Sequence, residues 1–399
     1  MTSTTLEKPS TVLEELEKPS TAAERPRAST APKAPVPAAG VLDIGANGQG
    51  SLRASDLLPT SRDVQVPAAL IRQLGLRKGD FVDGACAKPH TLTHVETVGG
   101  APVGTVRGRP RFADLTPLHP CARLRLESPA SGLGGRVVDL FAPVGKGQRG
   151  LIVAPPKTGK TVLLQQLAAA VAVNHPEAHL MVLLVDERPE EVTDMRRSVR
   201  GEVYASTFDQ PAKAHIALAE LAIERAKRLV EQGRDVVLLL DSLTRLCRAH
   251  NNAASAGGRT LSGGVDAAAL LGPKRLFGAA RQTEEAGSLT ILATALVDTG
   301  SRADDYFFEE LKSTGNMELR LDRALADRRV HPAVDITPSG TRREELLLSS
   351  PESAAVRGLR RALQGREGQS SYEALLDKLR RTPDNAAFLR QVHSTVPTG

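Results

Sequence analysis

Between Gly150 and Thr161 the chain reads Gly-Leu-Ile-Val-Ala-Pro-Pro-Lys-Thr-Gly-Lys-Thr. The apolar run Leu151 to Val153 has the character of a buried strand, Ala154 to Gly159 that of a tight turn, and an apolar helical pattern follows Lys160 and Thr161. Strand, turn and helix in that order make a phosphate-binding loop. Backbone N–H groups of the loop and the N-terminus of its helix converge on one point and favour an anion there. Gly159 lets the backbone approach closely, Lys160 can reach β- and γ-phosphates, and the Thr161 hydroxyl can hold Mg²⁺. Ala154 stands where such loops usually begin with Gly.

Two further stretches end apolar strands in carboxylates. Val236 to Leu240 runs into Asp241-Ser242. An acid just past a buried strand is the second half of a nucleotide site and would hold Mg²⁺ directly or through water. Leu183-Leu184-Val185 runs into Asp186-Glu187-Arg188-Pro189-Glu190-Glu191. A carboxylate there can face a γ-phosphate and polarise water for in-line attack, a role that falls to Glu187. Glu190 and Glu191 suit the start of a helix, where acids meet the positive end of its dipole. Arg329 and Arg342 come late, in Ala-Asp-Arg-Arg-Val-His-Pro and Ser-Gly-Thr-Arg-Arg-Glu-Glu. As residue types alone they read as exposed arginines; a cation lent by a neighbouring subunit is the other reading.

The elements that must position these groups alternate. Strands are expected at 136–140, 150–154, 180–186, 235–240 and 289–295, helices at 160–174, 189–199, 212–231, 242–250 and 273–284. Near-continuous apolar strands imply a sheet buried on both faces. With the phosphate loop after an early strand, this is a doubly wound α/β NTPase core. Two Gly-rich loops stand out. Asn251 to Asp266 carries Arg259 near its tip, and Asp298 to Asp305 carries Arg302, with Lys312 and Gly315 beyond. Mobile loops with one cation suit contacts to a phosphate backbone.

Ahead of the core, residues 41–125 break into short apolar pieces between Gly, Pro and Asp turns, which fits a five-stranded β-barrel, with a helical turn or two at Leu70 to Leu76. Arg107, Arg109 and Arg111 form a basic spur at its end, read either as a solvated loop or as a phosphate contact. Residues 1–40 are rich in Pro, Ala, Ser and Thr, and Leu-Glu-Lys-Pro-Ser-Thr occurs twice, ten residues apart. Such a repeat cannot build a core, so a disordered leader is expected. Its five Glu balance three Lys and two Arg, so the net charge of +6 lies in the folded part. A basic balance suits a polyanionic partner. Cys86, Cys121 and Cys247 form no CxxC or zinc pattern, which sets a reduced cytoplasmic compartment as the default. No apolar run reaches the ~18 residues needed to span a bilayer, and the N-terminus has no signal-peptide core.

Leu151 to Thr161, Asp186 to Val192, Asp241 to Leu246, Ser262 to Asp266, Thr294 to Ser301, Thr314 to Leu319 and Ser339 to Leu346 together resemble the Rho family of bacterial transcription termination factors. The resemblance runs from about residue 41 to near the C-terminus. It implies a RecA-like ATPase core at 126–399, ending in helices, behind an OB/cold-shock-like RNA-binding domain at 41–125. It implies a homohexameric, RNA-dependent ATPase that moves along single-stranded RNA and releases transcripts from RNA polymerase, with ATP and Mg²⁺ bound between subunits.

By matching motif, Pro156, Lys157, Thr158, Gly159, Lys160, Thr161 and Val162 hold the nucleotide and Mg²⁺. Glu187 is the catalytic carboxylate, Asp241 the acid on the Mg²⁺ side, and Arg342 the arginine finger of the next subunit. Arg188 and Arg329 belong to the ATP pocket, and His331 stands where a ring faces adenine. Arg259, Arg302 and Lys312 match the RNA-contact loops, and Arg53 the RNA-binding domain. The departures lie in that domain. Its first RNA site falls on Gly48-Gln49-Gly50-Ser51-Leu52-Arg53 and Val64-Gln65-Val66, where polar residues replace the aromatics on which bases stack. Three rival readings follow: a rotary-type ATPase or replicative helicase, which shares the core; a non-catalytic RNA-binding or anti-termination protein that only resembles the motor; and a Rho-like RNA-binding ATPase with a regulatory role and weak RNA loading.

Overall fold

The computed structural model describes residues 35–254, 260–364 and 368–395. The repeated hexamers and Arg259 lie outside them. The first strand, Val36–Ile44, starts inside the stretch expected to be leader. It is the centre of a six-stranded sheet in the order 64–66, 50–53, 36–44, 81–86, 94–98, 101–102. The expected five strands therefore gain a sixth, the two-residue piece Ala101–Pro102. The sheet curls until Gln65 meets the residues leading to its far side: Gln65 N–H donates to the His90 carbonyl at 2.8 Å, and Leu92 N–H to the Gln65 carbonyl at 2.9 Å. Leu42, Leu52, Val66, Val82 and Leu92 fill the interior. Ala68–Leu74 forms the expected short helix.

The basic spur is largely consumed by the fold. Arg109 donates to both Asp80 oxygens, at 2.6 and 2.5 Å, and Arg107 donates to the Gln73 carbonyl. Arg77 pairs with Glu231 of the core at 3.2 Å, and Glu231 accepts from Phe112 N–H at 2.7 Å.

Behind this barrel lies a nine-stranded sheet whose main path runs 202–207, 179–187, 236–241, 288–296, 149–154, 317–321, 334–341. Every neighbour in that path is parallel except the last pair, 317–321 with 334–341. The alternation along His179–Glu187 explains the uninterrupted apolar run. Leu180, Val182 and Leu184 enter one core, while Met181, Leu183 and Val185 enter the other. Helices Lys160–Asn174 and Ala212–Glu231 match their expected bounds.

Two expectations fail. Residues 136–140 are not a strand but the middle of helix Gly132–Phe141, in which every residue from Gly134 to Phe141 is buried. Three glycines among its first four residues and the Val137-Val138 pair favour strand or turn over helix in the sequence. The helix expected at 273–284 is the shorter Leu271–Phe277; Arg281–Thr283 instead adds an antiparallel strand beside 288–296.

Asp139 in that buried helix accepts the N–H groups of Leu126 and Glu127 at 2.9 and 2.7 Å. Burial nevertheless pushes its carboxyl up to about 6, against the opposing pull of Arg123. The folded chain then holds this proton more tightly than the unfolded chain, whose carboxyl titrates near pH ~4. Protonation favours folding, so the penalty is absent at low pH, grows as pH rises from about 4 to about 6, and is fully present above. Asp139→Asn is expected to flatten the pH dependence of Tm across that window in thermal melts; an unchanged slope would contradict the assignment.

Candidate active site

The phosphate loop leaves the end of strand Arg149–Ala154 and closes at Gly159, whose φ of +86° lies in the left-handed region that glycine tolerates. Thr158 is buried, and its hydroxyl donates to the Pro155 carbonyl at 2.8 Å, bracing the turn. Pro156 and Lys157 are exposed. Helix Lys160–Asn174 begins at once, so the loop's N–H groups and the helix N-terminus share one focus.

Lys160 Nζ lies 2.5 and 2.6 Å from the two Asp241 oxygens. Asp241 ends strand Val236–Asp241 and also accepts from Thr294 Oγ1 at 2.7 Å. Glu187 ends strand His179–Glu187, and its Oε2 stands 3.7 Å from Lys160 Nζ. Glu187 Oε1 receives Arg188 N–H at 3.2 Å and faces Arg245 Nη1 at 3.4 Å. Its Oε2 is buried with no hydrogen-bond partner among the described residues. An orphaned carboxylate oxygen in a closed site is an acceptor waiting for a proton donor. Burial lifts the Glu187 carboxyl above the ordinary Glu value; Lys160 opposes that shift and Asp241 adds to it.

Thr161 Oγ1 donates to Glu191 at 3.2 Å. Among the described residues no group of three or more His, Cys, Asp or Glu could cage a metal. One hydroxyl and one carboxylate beside a phosphate loop fit the few protein ligands that a nucleotide-borne Mg²⁺ would need, water supplying the rest.

Beside the loop opens a cleft of about 550 Å³ whose walls include Lys157, Gly159, Val162, Arg329 and His331. Arg188 is exposed and touches Glu191 at 3.5 Å. Arg342 is elsewhere. It follows Thr341, which pairs with Met317, which pairs with Gly150 at the start of the loop's own strand. That strand must rise four residues, roughly 13 Å, before the loop begins. Arg342 is exposed at that far end, beside Lys312 and Gly315 in a second, shallower pocket.

The two Gly-rich loops meet. Gly263, at φ +76°, lies against the backbone of Arg302 and Ala303, where a Cβ would come within 2.9 Å. Asn251 ties the same loop down, accepting from Asp266 N–H at 2.8 Å. Arg302 is exposed in the first turn of helix Arg302–Lys312, with Lys312 exposed at its other end. Two residues past Arg302, buried Asp304 holds Arg248, which is one turn beyond Arg245 on helix Leu243–Ala253. Arg53 is bound inward, to Asp43 at 2.7 Å and to Asp63. Gln49 and Gln65 are exposed and Ser51 half-buried; Ser51 pairs with Gln65 across the sheet.

Sequence reasoning missed Arg245 and Thr294, and read Glu191 only as a helix-start acid, which it is, without its contact to Thr161. Arg245 carried a signal, because it stands one helical turn past Asp241. Thr294 is one of three buried hydroxyl residues, with Ser288 and Thr290, in a mostly apolar strand, so its type alone did not single it out.

Residues 134–341 match the ATP synthase alpha/beta family, nucleotide-binding domain. Residues 38–103 match the Rho termination factor, RNA-binding domain. A transcription termination factor Rho from Streptomyces coelicolor is 74% identical over 362 residues, 91% of this chain and 87% of that protein. The chain belongs to the Rho family. A second Rho, from Streptosporangium roseum, is 62% identical over 93% of this chain and 95% of its own length. Among solved structures, an ATPase of a bacterial type III secretion system superposes with TM-score 0.57 at 20% identity, over 71% of this chain and 86% of that chain. At that identity the likeness is one of fold. The core is thus shared with the ATP synthase alpha/beta family, and the RNA-binding domain places this chain with the Rho family. The regulatory alternative gains nothing from these kinships.

Proposed function

We propose that this chain is an ATP-driven motor subunit that moves along single-stranded RNA and ends transcription by releasing the transcript from RNA polymerase in the cytoplasm. The observation that carries the reading is the joining of a Rho-type RNA-binding domain to an ATPase core in a chain 74% identical to a termination factor. Residues 36–106 load RNA and 126–399 form the motor.

In the motor, Lys160 moves from Asp241 onto the β- and γ-phosphates, which frees that carboxylate. Thr161 and Asp241 would hold Mg²⁺, which when bound neutralises charge between those phosphates. Glu187 orients the attacking water and accepts its proton through the unpartnered Oε2. Lys157, Arg188 and Arg329 surround the phosphates, and Val162 and His331 border the base. Arg342, too far from its own loop, serves the site of the next copy, so the active form is an assembly of copies, read here as a homohexamer. Arg302 and Lys312, with Arg259, grip RNA phosphates. The Arg248–Asp304 pair joins the Arg302 helix to the helix that follows Asp241 and so couples the two sites.

The test is run-off transcription with bacterial RNA polymerase and the purified chain. Shortened transcripts released into solution only with hydrolysable ATP support the reading; full-length transcripts alone would end it.

The barrel's RNA face lacks stacking groups at Gln49, Ser51 and Gln65. Base–aromatic stacking contributes ~1–3 kcal/mol per base. Gln49→Phe combined with Gln65→Tyr in the full chain is expected to tighten oligo-cytidine binding about tenfold or more in filter binding. Unchanged affinity would mean that bases do not approach this face.

A further inference from the structure

We propose that Gln166 reads the Watson–Crick edge of the nucleotide's base. This rests on the reading above that the cleft beside the phosphate loop takes the base of ATP. Gln166 lies six residues past Lys160 on the same helix and lines that cleft. It is half-buried and makes no hydrogen bond to another described residue. Thr158, also in the cleft wall, has its hydroxyl on the Pro155 carbonyl. Among the described residues lining the cleft, Gln166 alone offers a neutral donor and acceptor side by side.

Its place depends on Gly134. The Gln166 Oε1 lies 2.2 Å from where a Cβ on residue 134 would stand. Any side chain at 134 must therefore push the amide aside. A half-buried amide held against a glycine, facing an open cleft with no partner of its own, leaves its hydrogen-bonding capacity to a ligand.

The chemistry fits a purine edge. The amide carbonyl can accept from adenine N6–H₂ while its NH₂ donates to N1. A carboxylate at the same place has two acceptors. It would accept from guanine N1–H and N2–H₂ together, but would set a lone pair against adenine N1. Sites built to hydrogen-bond one edge discriminate strongly when the match is lost, because a buried polar group is left unpaired.

The test compares the parent full chain with Gln166→Glu, Gln166→Leu and Gly134→Ala. Two readouts are used: kcat/KM for RNA-stimulated hydrolysis of ATP, GTP, CTP and UTP, and calorimetric binding of ADP and GDP, which needs no turnover. Gln166→Glu is expected to move the GTP-to-ATP ratio about tenfold or more toward GTP. Gln166→Leu and Gly134→Ala are expected to narrow the preference for ATP over CTP and UTP together. If both Gln166 variants keep the parent's ratios in hydrolysis and binding, the inference is wrong and the ATPase reading stands. If the parent neither hydrolyses nor binds any nucleotide, the ATPase reading itself fails, and this inference with it.

Discussion

Glu187→Gln is expected to cut RNA-stimulated ATP turnover about 10²–10⁴-fold, the range typical of losing a positioned general base. The substitution keeps size and shape, so Oε1 can still accept Arg188 N–H. It removes the one property the site needs at the orphaned Oε2, the capacity to take a proton from water. Lys160 sits 3.7 Å from that oxygen and still has Asp241 as its main partner, so the loop keeps its form. ATP binding is therefore expected to change by only a few-fold, and the loss falls on kcat. Rapid-quench turnover beside equilibrium nucleotide binding separates the two. A fall of less than tenfold would move the base to another carboxylate, with Glu191 beside Thr161 the first to examine.

Arg342→Ala carries an equally large expectation. Arginine fingers contribute about 10³–10⁵ to turnover. The strand register sets Thr341 level with Gly150 and Arg342 one residue beyond it, at the opposite end of the strand from its own phosphate loop. Its role must then be played on another copy. Arg342→Ala and Glu187→Gln proteins should each be nearly inert alone. Mixed before assembly, they should regain activity, because one kind of junction pairs an intact Glu187 with an intact Arg342. A mixture no more active than its components would place the finger elsewhere.

The candidate site residues could be picked out in the sequence because their chemistry is local. A glycine, a lysine and a threonine in fixed spacing define the loop, and Asp241 and Glu187 each end an apolar strand. What could not be read was orientation. Nothing in the sequence says that Lys160 rests on Asp241, or that Arg245 faces Glu187. Both follow from strand order, with 236–241 lying between 179–187 and 288–296. Arg53 shows the converse. Its place in the family's RNA-binding motif suggested an RNA contact, yet Asp43 and Asp63 flank it across a register visible only in the fold.

The misread elements have separate causes. Helix Gly132–Phe141 opens with three glycines in four residues and carries the Val137-Val138 pair, so its residue types suit a strand better than a helix. Strands Met317–Leu321 and Val334–Thr341 went unrecognised in sequence. The first does show a two-residue burial period, but it is only five residues long. The second carries Pro338 and Gly340, which suit an edge position and look like a loop.

ATP turnover by the purified full chain, measured with single-stranded RNA and with DNA of the same sequence at one salt concentration, tests the central claim most directly. Hydrolysis that rises strongly with RNA, stays near its basal rate with DNA and is lost in Lys160→Ala is the predicted result. Turnover that ignores RNA, or responds equally to both polymers, would contradict an RNA-driven motor.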